Sequence, residues 1–131
     1  MNQNYTSEKY EFWVALMSTN FERKLENETA FDGIVKIYSL TSNNNKLNQL
    51  LDGKLFGEFI FPSDTGIFLR TFKNKSSWPN SKLIHINLDN YSFEEIIATN
   101  SSWNVWTGNN LGYGKFAINI SPTETIGYTT Y

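Results

Sequence analysis

His85 is the only histidine in this chain, there is no cysteine, and the acids nearest to chemistry are Asp64 and the pair Glu94-Glu95. One His without Cys cannot assemble a zinc site from the usual nitrogen and sulfur ligands. No Asp-x-Asp-x-Asn-Gly loop offers an all-oxygen calcium site. Neither a metal nor a cofactor is therefore expected. A Ser-His-acid triad would have to use His85, which sits within the apolar strand-like run Leu83-Ile84-His85-Ile86-Asn87-Leu88. There a half-buried surface histidine is the simpler reading.

Asp64-Thr65-Gly66 is the triplet of the retroviral-type aspartic proteases, where it follows an apolar strand and pairs across a dimer. Here Phe61-Pro62-Ser63 precedes it, no second apolar-Gly motif follows, and a turn accounts for Asp64 and Gly66. Glu94 and Glu95, if helical, point about 100° apart and share no site. Gly108-x-x-x-Gly112-x-Gly114 lacks the Lys-Ser/Thr of a P-loop and does not match Gly-x-Gly-x-x-Gly. No catalytic residue is expected.

Binding is better served. Ser101 to Gly114 carries two of the four Trp and three of the eight Gly. Trp and Tyr give large contact area with few rotamers to freeze, and Asn and Gly adapt around them. Trp103 and Trp106 could equally fold back into the core. Trp78, in Ser-Ser-Trp-Pro-Asn without apolar neighbours, is the most exposed of the three by this reading, and the proline after it holds it extended. The candidate partner-binding set is Trp78, Trp106, Asn109, Asn110 and Tyr113, with Asp64, Glu94 and Glu95 as surrounding carboxylates. A basic protein would meet such acids with fast association.

The elements that position these residues are read from pattern. Thr6-Ser7-Glu8 resembles a helix start. Tyr10, Trp13, Val14, Met17, Phe21 and Leu25 then share one helical face. Tyr10-Phe12-Val14-Leu16 also alternates as a strand does; the helix is preferred, with Glu22 to Glu28 as its solvated end. After an Asp32-Gly33 turn, residues 34–40 read as a strand and 46–51 as a short helix stopped by Asp52-Gly53. Strands at 54–61 and 66–72 form a hairpin around Pro62-Ser63-Asp64-Thr65. Residues 83–88 make a strand and 90–98 a helix capped by Ser92 with Glu95 behind it. Two last strands at 114–120 and 125–131 flank a Ser121-Pro122-Thr123 turn. The sum is one α+β domain over 1–131, largely antiparallel, with about six or seven strands and two or three short helices.

At 131 residues and 40% hydrophobic, the chain can bury a core. A net charge of −2 gives no basic excess for nucleic acid. The longest apolar run, Phe12 to Met17, is too short for a membrane span. The start of the chain has no basic and apolar leader pattern, so the expected location is the cytoplasm. Six Asn-x-Ser/Thr triplets are then chance products of an Asn-rich composition, which also suggests an AT-rich bacterial gene. In general character, small, acidic, Cys-free and without catalytic signatures, the chain is similar to the bacterial immunity proteins of contact-dependent growth inhibition and related polymorphic toxin systems. That resemblance rests on no motif and carries over no residue. It implies a non-enzymatic protein that binds and neutralises a cognate toxin domain, often a nuclease. The alternative expectation is a carbohydrate- or ligand-binding module using loop Trp, Tyr and Asn.

Overall fold

A computed structural model of the chain describes residues 9–30 and 34–131. Seven strands follow one another across a single antiparallel sheet, each paired with its neighbour in sequence: β1 (Glu11–Leu16), β2 (Thr19–Ala30), β3 (Ile34–Ser42), β4 (Leu55–Pro62), β5 (Gly66–Phe72), β6 (Ser81–Asn87) and β7 (Phe93–Thr99). A second antiparallel sheet holds β8 (Thr107–Gly112), β9 (Lys115–Ser121) and β10 (Glu124–Thr129), with β9 in the middle. The one helix among the described residues is α1 (Asn45–Leu51).

β5 lies near the centre because its sequence is apolar on both sides. Ile67 and Leu69 face one core with Phe21, Tyr38, Phe56, Ile84 and Ile86, closed by Leu47 and Leu51 of α1. Phe68 faces the other core with Phe59, Leu83, Trp106, Phe116, Ile118 and Ile120. Here the three-stranded sheet lies face to face on the larger one, with alternate residues of each strand turned inward. α1 starts where the Asn44 side chain accepts hydrogen bonds from the amides of Lys46 and Leu47. Gly53, at φ +73°, follows its last turn.

The hairpin 54–72, the short helix, the strand at 34–40 and the last two strands stand where the sequence placed them. The antiparallel character holds as well. The helix count and strand count do not: ten strands and one helix are present among the described residues. The helix expected to begin at Thr6-Ser7-Glu8 is a hairpin from residue 11 onward; its proposed start, like the Asp32-Gly33 turn, lies outside the described residues. Met17 and Ser18, both at positive φ (54° and 58°), form its two-residue turn, with Leu16 opposite Thr19. The register shifts between Phe12 and Val14, and Trp13, Val14 and Leu16 all pack on the same core. Such a bulge places successive residues on one side and so imitates helical spacing. Glu22 to Glu28 is likewise strand, with Lys24 paired to Glu26 along it at 3.5 Å and Glu28 to Lys36 across to β3 at 3.9 Å.

The helix expected at 90–98 is the strand β7. Asn87 Oδ1 accepts from the amides of Asp89 and Asn90, and Asn90 Oδ1 from that of Ser92. These Asn-centred turns reverse the chain into a hairpin, so Ser92 caps nothing. A second register shift, opposite Leu83 and Ile84, leaves both Ile96 and Ile97 against the core between the sheets.

Candidate binding surface

The β4–β5 turn is organised by one hydroxyl. Ser63 Oγ accepts hydrogen bonds from the amides of Thr65 (3.1 Å) and Gly66 (2.8 Å) and lies 2.8 Å from His85 Nε2. With both lone pairs occupied by amides, the hydroxyl must donate to Nε2, which is then unprotonated. Nδ1 consequently carries the hydrogen towards Tyr128 Oη at 3.4 Å, and Tyr128 donates to Glu94 Oε1 at 2.7 Å. The chain Ser63–His85–Tyr128–Glu94 thus runs in one direction and ties the β4–β5 turn, β6, β10 and β7 together.

His85 is only 3% exposed, so it is a core residue rather than the half-buried surface histidine the strand pattern implied. Its ring packs against Phe68 and Tyr128, with centroids at 4.8 and 5.0 Å. Burial pushes its pKa below the usual 6.5, against the pull of the Glu94 and Asp64 carboxylates. Burial, reinforced by the hydrogen bond to Glu94, raises that of Tyr128, which keeps its proton. Ser63 meets the histidine that a triad would need, but its oxygen has no lone pair left for attack.

Next to this chain the two sheets end together in an exposed tip. β8 and β9 are joined by Tyr113 (φ +54°) and Gly114 (φ +73°), with Gly112 opposite Lys115, a two-residue turn that requires left-handed backbone at both positions. Tyr113 is 95% exposed and Tyr131 83%, and Leu111 is exposed between them and the Asn pair. Thr130 donates its amide to Gly114 O (2.9 Å) and its hydroxyl to Asp64 Oδ2 (3.0 Å), which holds Tyr131 beside Gly114.

Of the residues singled out from sequence, Asp64 and Tyr113 meet at this tip. Asn109 and Asn110 lie exposed on the same hairpin, Asn110 Oδ1 accepting from the Gly112 amide. Glu94 joins through Tyr128. The other three do not converge. Trp106 is 5% exposed, inside the core between the sheets, edge-on to Phe59. Trp78 is half-buried against Val35, Ile37 and Phe72. Glu95 pairs with Lys82 on the opposite face of the large sheet. Leu111, Thr130 and Tyr131 belong to the tip although no pattern in the sequence marks them. A Tyr-Gly pair between two strand-like runs was the signal for the turn, obscured because Thr107-Gly108-Asn109-Asn110 has little strand propensity.

The Trp-rich segment is instead a strap leading from β7 to β8. Arg70, 3% exposed on β5, donates to Ser81 Oγ (2.8 Å) and to the carbonyls of Trp103 (2.8 Å) and Ser101 (2.9 Å). Its guanidinium carbon lies 4.2 Å from the Trp106 ring centroid, and burial lowers its pKa to about 10.

No family model matches this chain, and neither a curated protein nor a solved structure matches it. Among the described residues no cluster of His, Asp or Glu could hold a metal ion, and no helix is long and apolar enough to cross a membrane.

Proposed function

We propose that this chain is a non-enzymatic protein-binding domain that docks on and blocks a basic partner, as a cytoplasmic immunity protein holds its toxin domain. The observation that carries the reading is Tyr113: an aromatic ring almost wholly in solvent, at the apex of a turn that favours Asn, Asp or Gly in its place. A tyrosine in the left-handed region costs roughly 1–2 kcal/mol relative to a permissive residue. Strain of this kind is characteristically held at sites of function. Tyr131, Leu111 and Asp64 lie exposed on the same tip, giving an aromatic anchor with a carboxylate at the neighbouring turn. A sugar-binding module using loop Trp, Tyr and Asn would keep Tyr113, Asn109 and Asn110 at its surface but lose Trp106, which lies inside the core.

The test sets stability against binding. Tyr113→Asn creates the Asn-Gly pair this turn prefers, so it should raise stability by about 1 kcal/mol. Loss of an anchor ring should weaken partner binding by about 2 kcal/mol, roughly 30-fold in Kd. The binding arm is calorimetry against the product of the neighbouring gene, with rescue of growth on co-expression. Absence of binding and rescue, together with saturable quenching of Trp fluorescence by sugars, would sink the reading.

A further inference from the structure

The face of the large sheet that carries α1 is not fully covered by it. Beyond the helix a cleft of about 900 Å³ opens between the α1–β4 connection and β7. Thr71 and Lys82, paired across β5 and β6, lie within it, with Phe93 on one side and Lys54 and Lys73 on the other. Glu124, at the start of β10, reaches its rim, but none of Asp64, Leu111, Tyr113, Thr130 and Tyr131 lines it, so the cleft is separate from the tip described above.

Its cations are unequal. Lys82 Nζ lies 3.0 and 3.1 Å from the two carboxylate oxygens of Glu95 and is neutralised there. Lys54 holds its ammonium 5.1 Å from the Phe93 ring centroid, and Lys73 is exposed. Among the described residues neither pairs with a carboxylate. Lys54 precedes Leu55 and Lys73 follows Phe72, and those two are register partners, so β4 and β5 bring both lysines to the same end of their ladder. The lining carries three lysines against two glutamates, Glu95 and Glu124, in a chain whose net charge is −2. β7 contributes the apolar Phe93 and Ala98, with the Lys82-paired Glu95 between them.

We propose that this cleft is a binding site for a small organic anion, a phosphate or carboxylate attached to a flat apolar body. The anionic group is held by Lys54 and Lys73, and the apolar body lies against the Phe93 ring. Volume, unpaired cations and an adjoining aromatic wall together define an amphipathic ligand rather than a bare ion.

Phenyl phosphate, phenol and inorganic phosphate, titrated into the full chain and followed by amide chemical shifts, test this. Phenyl phosphate should shift Lys54, Thr71, Lys73 and Phe93, binding at least tenfold more tightly than either fragment. Lys54→Glu with Lys73→Glu should weaken it at least tenfold, while Lys115→Glu, on β9, leaves it unchanged; retained amide dispersion shows that each variant is folded. Equal binding of phenol or of inorganic phosphate, shifts confined to the tip, or indifference to the charge reversal would overturn the proposal.

Discussion

At the scale of single residues, two buried polar side chains do what their types alone did not reveal. His85 is neutral because its surroundings leave no room for a second proton: Nε2 already accepts from Ser63, whose lone pairs are spent on amides. Its folded pKa lies below 6.5, so the unfolded chain takes the proton first as pH falls. Stability attributable to His85 is therefore complete above about pH 6.5, declines as pH drops from there towards the folded value, and levels off below it. His85→Gln can still accept from Ser63 and donate to Tyr128. Urea unfolding at pH 7.5 and pH 5 should show a larger loss in the parent chain than in this variant; equal losses would refute the assignment. Arg70 is the second case. Removing it strands Ser81 Oγ and two strap carbonyls, so Arg70→Met should lower stability by roughly 2–4 kcal/mol in urea melts at pH 7.

At the scale of elements, two strands imitate helices in their sequence, and for one cause. A strand betrays itself by alternation, and β5, β6 and the hairpin 54–72 alternate or are uniformly apolar, so they were legible. β1 and the strand opposite Leu83–Ile84 each contain a register shift that sets Trp13 beside Val14, and Ile96 beside Ile97, on one core. Two apolar neighbours followed by a gap of three is also what a helix writes, and single-chain spacing cannot separate the two. β8 was hidden differently. Its Gly108 is dictated by packing, since a Cβ there would come within 2.4 Å of the Phe61 ring. Gly108→Ala should therefore destabilise by more than about 1 kcal/mol, beyond any gain from stiffening the unfolded chain, as thermal denaturation would show. The Met17-Ser18 turn supplies a comparison for Tyr113. Met17→Asn with Ser18→Gly relieves the same kind of strain and should raise the melting temperature without changing partner binding.

At the scale of the molecule, the candidate site was half legible. Asp64 and Tyr113 were marked by turn chemistry and solvent-seeking context, and the turns do bring them together. Trp78 and Trp106 were marked by the general value of Trp in recognition, but only tertiary packing decides whether an indole meets solvent, and here both serve cores. What joins Asp64 to Tyr113 is Thr130, more than sixty residues beyond Asp64 in sequence, a relation no local pattern carries. The tip and the lysine-lined cleft share no residue, so Tyr113→Asn should leave phenyl phosphate binding untouched. A loss of both would point to a global disturbance.

The succession of β1 to β7 across one sheet has a further consequence for how the protein breathes. Because each strand's neighbours in space are its neighbours along the chain, opening can begin at an outer strand and advance inward one hairpin at a time. β1 leans on β2 alone, with Phe12 left largely to solvent, whereas β5 is clamped from above and below. Amide exchange should thus form a gradient, fastest in β1 and slowest in β5 and β6, with the outer strand exchanging through local opening and the centre only when the whole chain unfolds.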